Sequence, residues 1–80
     1  MSFNVWVPGP STVSWSVFTT AFRKIKDGGT ISAPTGTTNF QWNLKDQMGS
    51  PVASGLYYIR VRVTGPGFSI TKILKVVVIR

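Results

Sequence analysis

The chain has no cysteine, no histidine and no glutamate, and its only carboxylate side chains are Asp27 and Asp46. Each absence removes a class of chemistry. Without cysteine there is no disulfide framework, no thiolate metal site and no thiol nucleophile. Without histidine or glutamate, and with eighteen residues between the two aspartates, there is no imidazole base for a Ser-His-Asp arrangement and no neighbouring carboxylate pair in the sequence to suggest glycoside cleavage. No catalytic residue, metal site or cofactor is expected, and the chain is not expected to be an enzyme. Long apolar runs are also lacking. The longest, Val76 to Ile79, is far too short to cross a bilayer, so no membrane span is expected. Met1-Ser2 leads directly into Phe3-Asn4-Val5-Trp6-Val7, which alternates like a strand and lacks the basic and apolar regions of a secretory signal.

What is present describes a folded, basic chain. With 80 residues it is expected to be one small domain, 1–80, belonging to a larger protein. A domain of this size buries only about 60 to 65% of the surface its unfolded chain exposes. The apolar fraction of 42%, with ten aromatic residues, supplies a core. Nine Lys or Arg against two Asp give a net charge of +7. Basic charge at this density attracts polyanions, but the bases are dispersed over Arg23, Lys24, Lys26, Lys45, Arg60, Arg62, Lys72, Lys75 and Arg80. The plain reading is a solvated sheet surface.

Period-two alternation runs through the chain. Phe3, Val5 and Val7 face one way until Pro8-Gly9-Pro10 ends the strand. Val13, Trp15 and Val17 alternate with Ser14 and Ser16, as in an antiparallel sheet with one wet face. Ala21 to Lys26 holds Ile25 inward, and the awkward spacing of Phe22 and Ile25 predicts a β-bulge. Asp27-Gly28-Gly29-Thr30 reads as a turn, and 31–38 as an irregular crossing or short edge strand between two sheets. Phe40, Trp42 and Leu44, then Tyr57, Ile59, Val61 and Val63, read as the limbs of a β-hairpin arm spanning Trp42 to Val63. Its connection carries the turn formers Asp46, Gly49, Ser50, Pro51, Ser54 and Gly55. Gly65-Pro66-Gly67 closes the second limb. Phe68 to Arg80 reads as the last strand; its nearly continuous apolar run from Ile73 to Ile79 is consistent with burial on both faces or with a bulge, and predicts a strand lying centrally in its sheet. With no helical period, these segments predict an all-β sandwich of about six to seven antiparallel strands.

Trp42, Asp46, Gly49 and the run Val52-Ala-Ser-Gly55-Leu-Tyr57-Tyr58 resemble the W-x-x-x-D-x-x-G-x-x-V-A-S-G-[LV]-Y-[YF] core of the FlgD-type immunoglobulin-like domain. That is the β-sandwich of the flagellar hook-capping protein and of similar modules near the C-termini of secreted and surface bacterial proteins. Val13 to Phe18, Arg23 to Ile25, Lys72-Ile73-Leu74 and the closing Val-Ile-Arg extend the similarity over nearly the whole chain. The pattern usually carries Asp-Gly where this chain has Asn43-Leu44, and Gly where it has Phe22. The resemblance implies an immunoglobulin or fibronectin III-like sandwich, an extracytoplasmic location that is secreted, cell-surface or flagellar, and partners that are other protein domains of the same assembly. It also implies that Trp42, Asp46, Gly49, Gly55 and Tyr57 are structural.

Function is expected to be that of a non-catalytic interaction or scaffolding module, related in the hook-capping protein to hook assembly. One alternative is a C-terminal secretion or sorting domain, which the Val76 to Arg80 ending fits. The other is a polyanion- or carbohydrate-binding module using the basic face. Asp46 with Asn43 is too thin a ligand set for calcium, and an Asx turn at Asp46 with a left-handed Gly49 accounts for both residues. Trp15 and Trp42 read as core aromatics. Trp6, in the outward phase, could stack on a sugar or base, or pack against a neighbouring domain. Tyr58 shares a wet face with Arg60 and Arg62, and with Lys72, Lys75 and Trp6 it forms the candidate partner or anion surface; a cation–π pair explains the interleaving equally well. No nucleic-acid motif is present, so nucleic acid is not an expected partner. Uncapped strand edges predict weak self-association.

Overall fold

The computed structural model describes residues 1–79; Arg80 lies outside them. The order is β1 (Ser2–Val7), β2 (Ser11–Thr19), β3 (Lys24–Ala33), β4 (Gly36–Gln41), β5 (Gly55–Gly65) and β6 (Phe68–Val78). These six strands form two antiparallel sheets. β1 pairs with β4, and the larger sheet runs β3-β2-β5-β6.

Alternation places the core. Val13, Trp15 and Val17 of β2 and Tyr57, Ile59, Val61 and Val63 of β5 are buried, and so are Val5 and Val7 of β1 and Phe40 of β4. Both sheets contribute to one cluster. Phe3 of β1 packs edge-on to Trp15 of β2 at 5.5 Å and stacks with Phe40 of β4 at 5.4 Å. Each fully buried aliphatic side chain is worth roughly 1.5–3 kcal/mol relative to exposure, which gives so small a chain its stability.

The expected bulge near Ile25 is present. Between Val17 and Phe18 the partner on β3 jumps from Lys26 to Lys24, leaving Ile25 as the extra residue. The β2–β3 turn is held by Phe22 N–H donating to Thr19 O (2.9 Å) and Thr19 N–H donating to Arg23 O (3.0 Å). The expected change of sheet is present, but 31–38 is not an irregular crossing: Ile31, Ser32 and Ala33 pair with β2, Gly36, Thr37 and Thr38 pair with β1, and only Pro34-Thr35 separates β3 from β4.

Three further expectations are corrected. Trp42 to Val63 is not a hairpin: Phe40 pairs with Phe3 of β1, whereas Tyr57 pairs with Thr19 and Val76, so the limbs lie in different sheets. The connection between them crosses the molecule. Asp27 to Thr30 is not a turn but lies inside β3, at a second register break where Ser14 pairs with Thr30 and Ser16 with Asp27. Gly29 takes φ 84° and its N–H donates to Asp27 Oδ1 (3.0 Å), so a local Asx bond makes a bulge rather than a reversal. Finally, β6 is an edge strand. Its apolar residues alternate after all: Val78 is buried and Leu74 and Val76 half-buried, while Ile73 and Val77 on the outer face are 58% and 64% exposed.

Candidate functional site

The connection between β4 and β5 is built on Trp42. The start of the chain clamps it, with Trp42 N–H donating to Met1 O (2.7 Å) and the Met1 ammonium donating to Trp42 O (2.9 Å). Its indole is buried edge-on to Tyr57 at 5.9 Å, and Nε1–H donates to Lys45 O (3.0 Å). Asp46 then closes the loop. Its Oδ1 accepts from Met48 N–H (3.0 Å) and Ser50 N–H (2.9 Å), while Gly49 N–H donates to Asp46 O and Asp46 N–H to Ser50 O. Gly49 sits at φ 84°, so the expected Asx turn with a left-handed glycine is present. Asn43 Oδ1 accepts from Lys45 N–H (3.1 Å) in a second local turn. Gly55 opens β5 opposite Val78. Tyr57 O–H donates back to Ala53 O (2.7 Å) and ties the end of the loop to the strand it enters. Asp46 and Asn43 thus serve backbone donors, and among the described residues no group of three or more His, Cys, Asp or Glu side chains comes together.

The outer face of the larger sheet gathers part of the expected surface. Leu56, Tyr58, Arg60 and Arg62 of β5 lie opposite Val77, Lys75, Ile73 and Thr71 of β6. On the other side Tyr58, Arg60 and Arg62 lie opposite Phe18, Ser16 and Ser14 of β2. The Arg60 guanidinium sits 4.9 Å above the Phe18 ring, so a cation–π pair forms on this face with Phe18 of β2 as its ring, whereas Tyr58, the ring expected from the interleaving, stacks on Phe22. Phe22, 68% exposed, stacks on Tyr58 at 5.4 Å with rings 6° from parallel. The result is a row of rings flanked by Arg60, Arg62 and Lys75. Lys24, opposite Phe18, lies 3.8 Å from Asp27 in an exposed pair, a geometry that contributes little.

Two expected members lie elsewhere. Trp6, 59% exposed, stands on β1 in the smaller sheet. Lys72 lies opposite the buried Val61, in the inward phase of β6, and reaches solvent only because β6 is an edge. Sequence reasoning also missed Gln47, whose N–H donates to Ile25 O (2.8 Å) and whose Oε1 accepts from Asp27 N–H (2.9 Å). The loop therefore docks on the bulged edge of β3, and no local pattern signals such a tertiary contact. Gly28 was missed as well: a Cβ there would collide with the Trp15 indole.

No helix among the described residues is long and apolar enough to cross a membrane. No family model matches the chain, and no curated protein matches it.

Proposed function

We propose that the chain is a non-catalytic, immunoglobulin-like interaction and scaffolding module of a bacterial extracytoplasmic or surface protein, of the kind it resembles in the flagellar hook-capping protein. The observation that carries this reading is the backbone at Phe22 and Leu44. Among the described residues they are the non-glycine residues at positive φ, 61° and 62°, and they occupy the two positions where the FlgD-type pattern carries glycine. A fold that demands left-handed backbone at those places explains both the glycines of the pattern and the strain here. Strand order supports the same reading. Taking β1 to β6 as strands B, C, C′, E, F and G gives the B–E and G-F-C-C′ neighbours of an immunoglobulin sandwich. The Tyr57 to Ala53 bond resembles the tyrosine corner of that fold, at the start of the corresponding strand.

A second reading is favoured by one arrangement: Tyr58, Phe22 and Phe18 share a face with Arg60, Arg62 and Lys75, which suits a polyanion-binding module. A titration separates the two. Heparin and single-stranded DNA are added to the native chain and to an Arg60→Ser, Arg62→Ser variant at about 50 and about 200 mM salt, because phosphate or sulfate contacts weaken steeply with salt. The scaffolding reading expects no tight binding at low salt. Tight, salt-sensitive binding that the variant loses would replace it with the polyanion reading.

A further inference from the structure

We infer that the free edge of β6 accepts an added strand from an acidic partner protein. The two edges of the larger sheet are unlike. β3 carries two register breaks, and Gln47 docks on it at Ile25 and Asp27. Bulges and covering loops are how proteins blunt an edge against pairing. β6 has neither. It pairs with β5 from Gly55↔Val78 to Gly65↔Phe68 with no register break. In such a ladder alternate residues turn their N–H and C=O away from the paired neighbour, leaving a regular row of donors and acceptors along the outer side. β1 and β4 are also edges, but each has six residues against the eleven of β6.

The side chains select the occupant. On the outer face Ile73 and Val77 are more than half exposed, and in the inward phase Ile70, Leu74 and Val76 are half-buried. Apolar residues on both faces suit an incoming strand with apolar residues of its own. Lys72 interrupts the inward phase and Lys75 the outer one, and no carboxylate lies on β5 or β6. A charge in the inward phase of an edge strand deters apolar strands, whereas a carboxylate opposite it turns the deterrent into recognition. A second copy of this chain brings another net charge of +7 rather than a complement. The occupant is therefore an extended segment with apolar residues on both faces and two carboxylates three residues apart, one opposite Lys72 and one opposite Lys75. This deepens the interaction-module reading and rests on it for the partner being a protein; the pairing itself rests on β6.

The test uses amide NMR of the full chain titrated with the capped peptide Thr-Val-Thr-Glu-Val-Val-Glu-Thr-Val-Thr. Three companions are a version with Lys for both Glu, a version N-methylated at alternate residues, and a Lys72→Glu, Lys75→Glu variant of the protein. Both lysines are exposed, so the variant keeps the core. The expected result is slowed hydrogen exchange at alternate amides of β6, lost on N-methylation. The Lys peptide should bind at least about ten-fold more weakly, since like charges across an interface are costly, and the variant should reverse that preference. Perturbation centred on Tyr58, Arg60 and Arg62 and indifferent to N-methylation would overturn the proposal in favour of the sheet face. Protection of β6 in the absence of peptide, growing with protein concentration, would overturn it in favour of a second copy. Silence from the folded chain would also overturn the edge proposal, while the scaffolding reading would still be decided by the salt titration above.

Discussion

Trp42→Phe should destabilise the domain by about 2 kcal/mol, the sum of about 1 for a hydrogen bond and about 1 for lost volume. The indole is 1% exposed, meets Tyr57 edge-on and donates from Nε1 to Lys45 O across the neck of the Asp46 loop. Phenylalanine keeps an apolar ring against Tyr57 but has no donor, so Lys45 O loses its partner, a change worth about 1 kcal/mol. The smaller ring leaves roughly 40 Å³ unfilled, which at about 24 cal/mol per Å³ adds about 1 kcal/mol. A chain of this size is expected to hold about 4 to 12 kcal/mol in all, so the variant folds and the loss is measurable. Urea unfolding followed by tryptophan fluorescence, with Trp6 and Trp15 still reporting, should give a midpoint lower by about 1 to 2 M at an m-value of 1 to 2 kcal/mol/M. The amides of Met48 and Ser50, which donate to Asp46, should shift because the loop neck loosens. A loss below about 0.5 kcal/mol, the range of ordinary surface substitutions, with unshifted loop amides would refute the argument that the indole organises this connection.

Three further outcomes follow from local geometry and are read from urea midpoints. Gly28→Ala should cost about 1 to 3 kcal/mol, because its Cβ would be driven into the buried Trp15 ring; a loss no larger than that of a surface change would contradict this packing. Tyr57→Phe should cost about 1 kcal/mol through the part-buried bond to Ala53 O, and an unchanged midpoint would mean that water replaces it freely. Phe22→Asn should raise stability by about 0.5 kcal/mol, since relief of left-handed strain outweighs an exposed ring stack on Tyr58; a clear loss would show that the stack is worth more than the strain.

Local chemistry was legible in the sequence and pairing was not. The strand character of β1, β2 and β5 follows from one buried face, and alternation such as Val13-Ser-Trp-Ser-Val17 has no other economical reading. The Asx turn at Asp46 was legible because its bonds span two to four residues. Pairing partners were not, because Phe40 and Trp42 alternate identically whether they face β5 or β1, and the true partner Phe3 lies far back in the chain. Gly28-Gly29 carries the signature of a turn, yet the same backbone freedom serves a bulge with Trp15 packed on it. The apolar end of β6 suggested burial on both faces, since a pattern does not say whether outward side chains meet another layer or solvent. Phe22 drew notice for its spacing, but its stack on Tyr58 depends on β2 and β5 being neighbours, which no local signal reveals.

The fold turns on β4 and β5 lying in different sheets that share one core. The direct measurement is a nuclear Overhauser spectrum of the labelled chain. The account predicts cross-strand backbone contacts between β1 and β4 in the Phe3↔Phe40 register, with ring contacts from Phe3 to Trp15 and from Trp42 to Tyr57. Backbone contacts pairing Phe40 and Trp42 with Tyr57 to Val63, as in a simple hairpin, would contradict it.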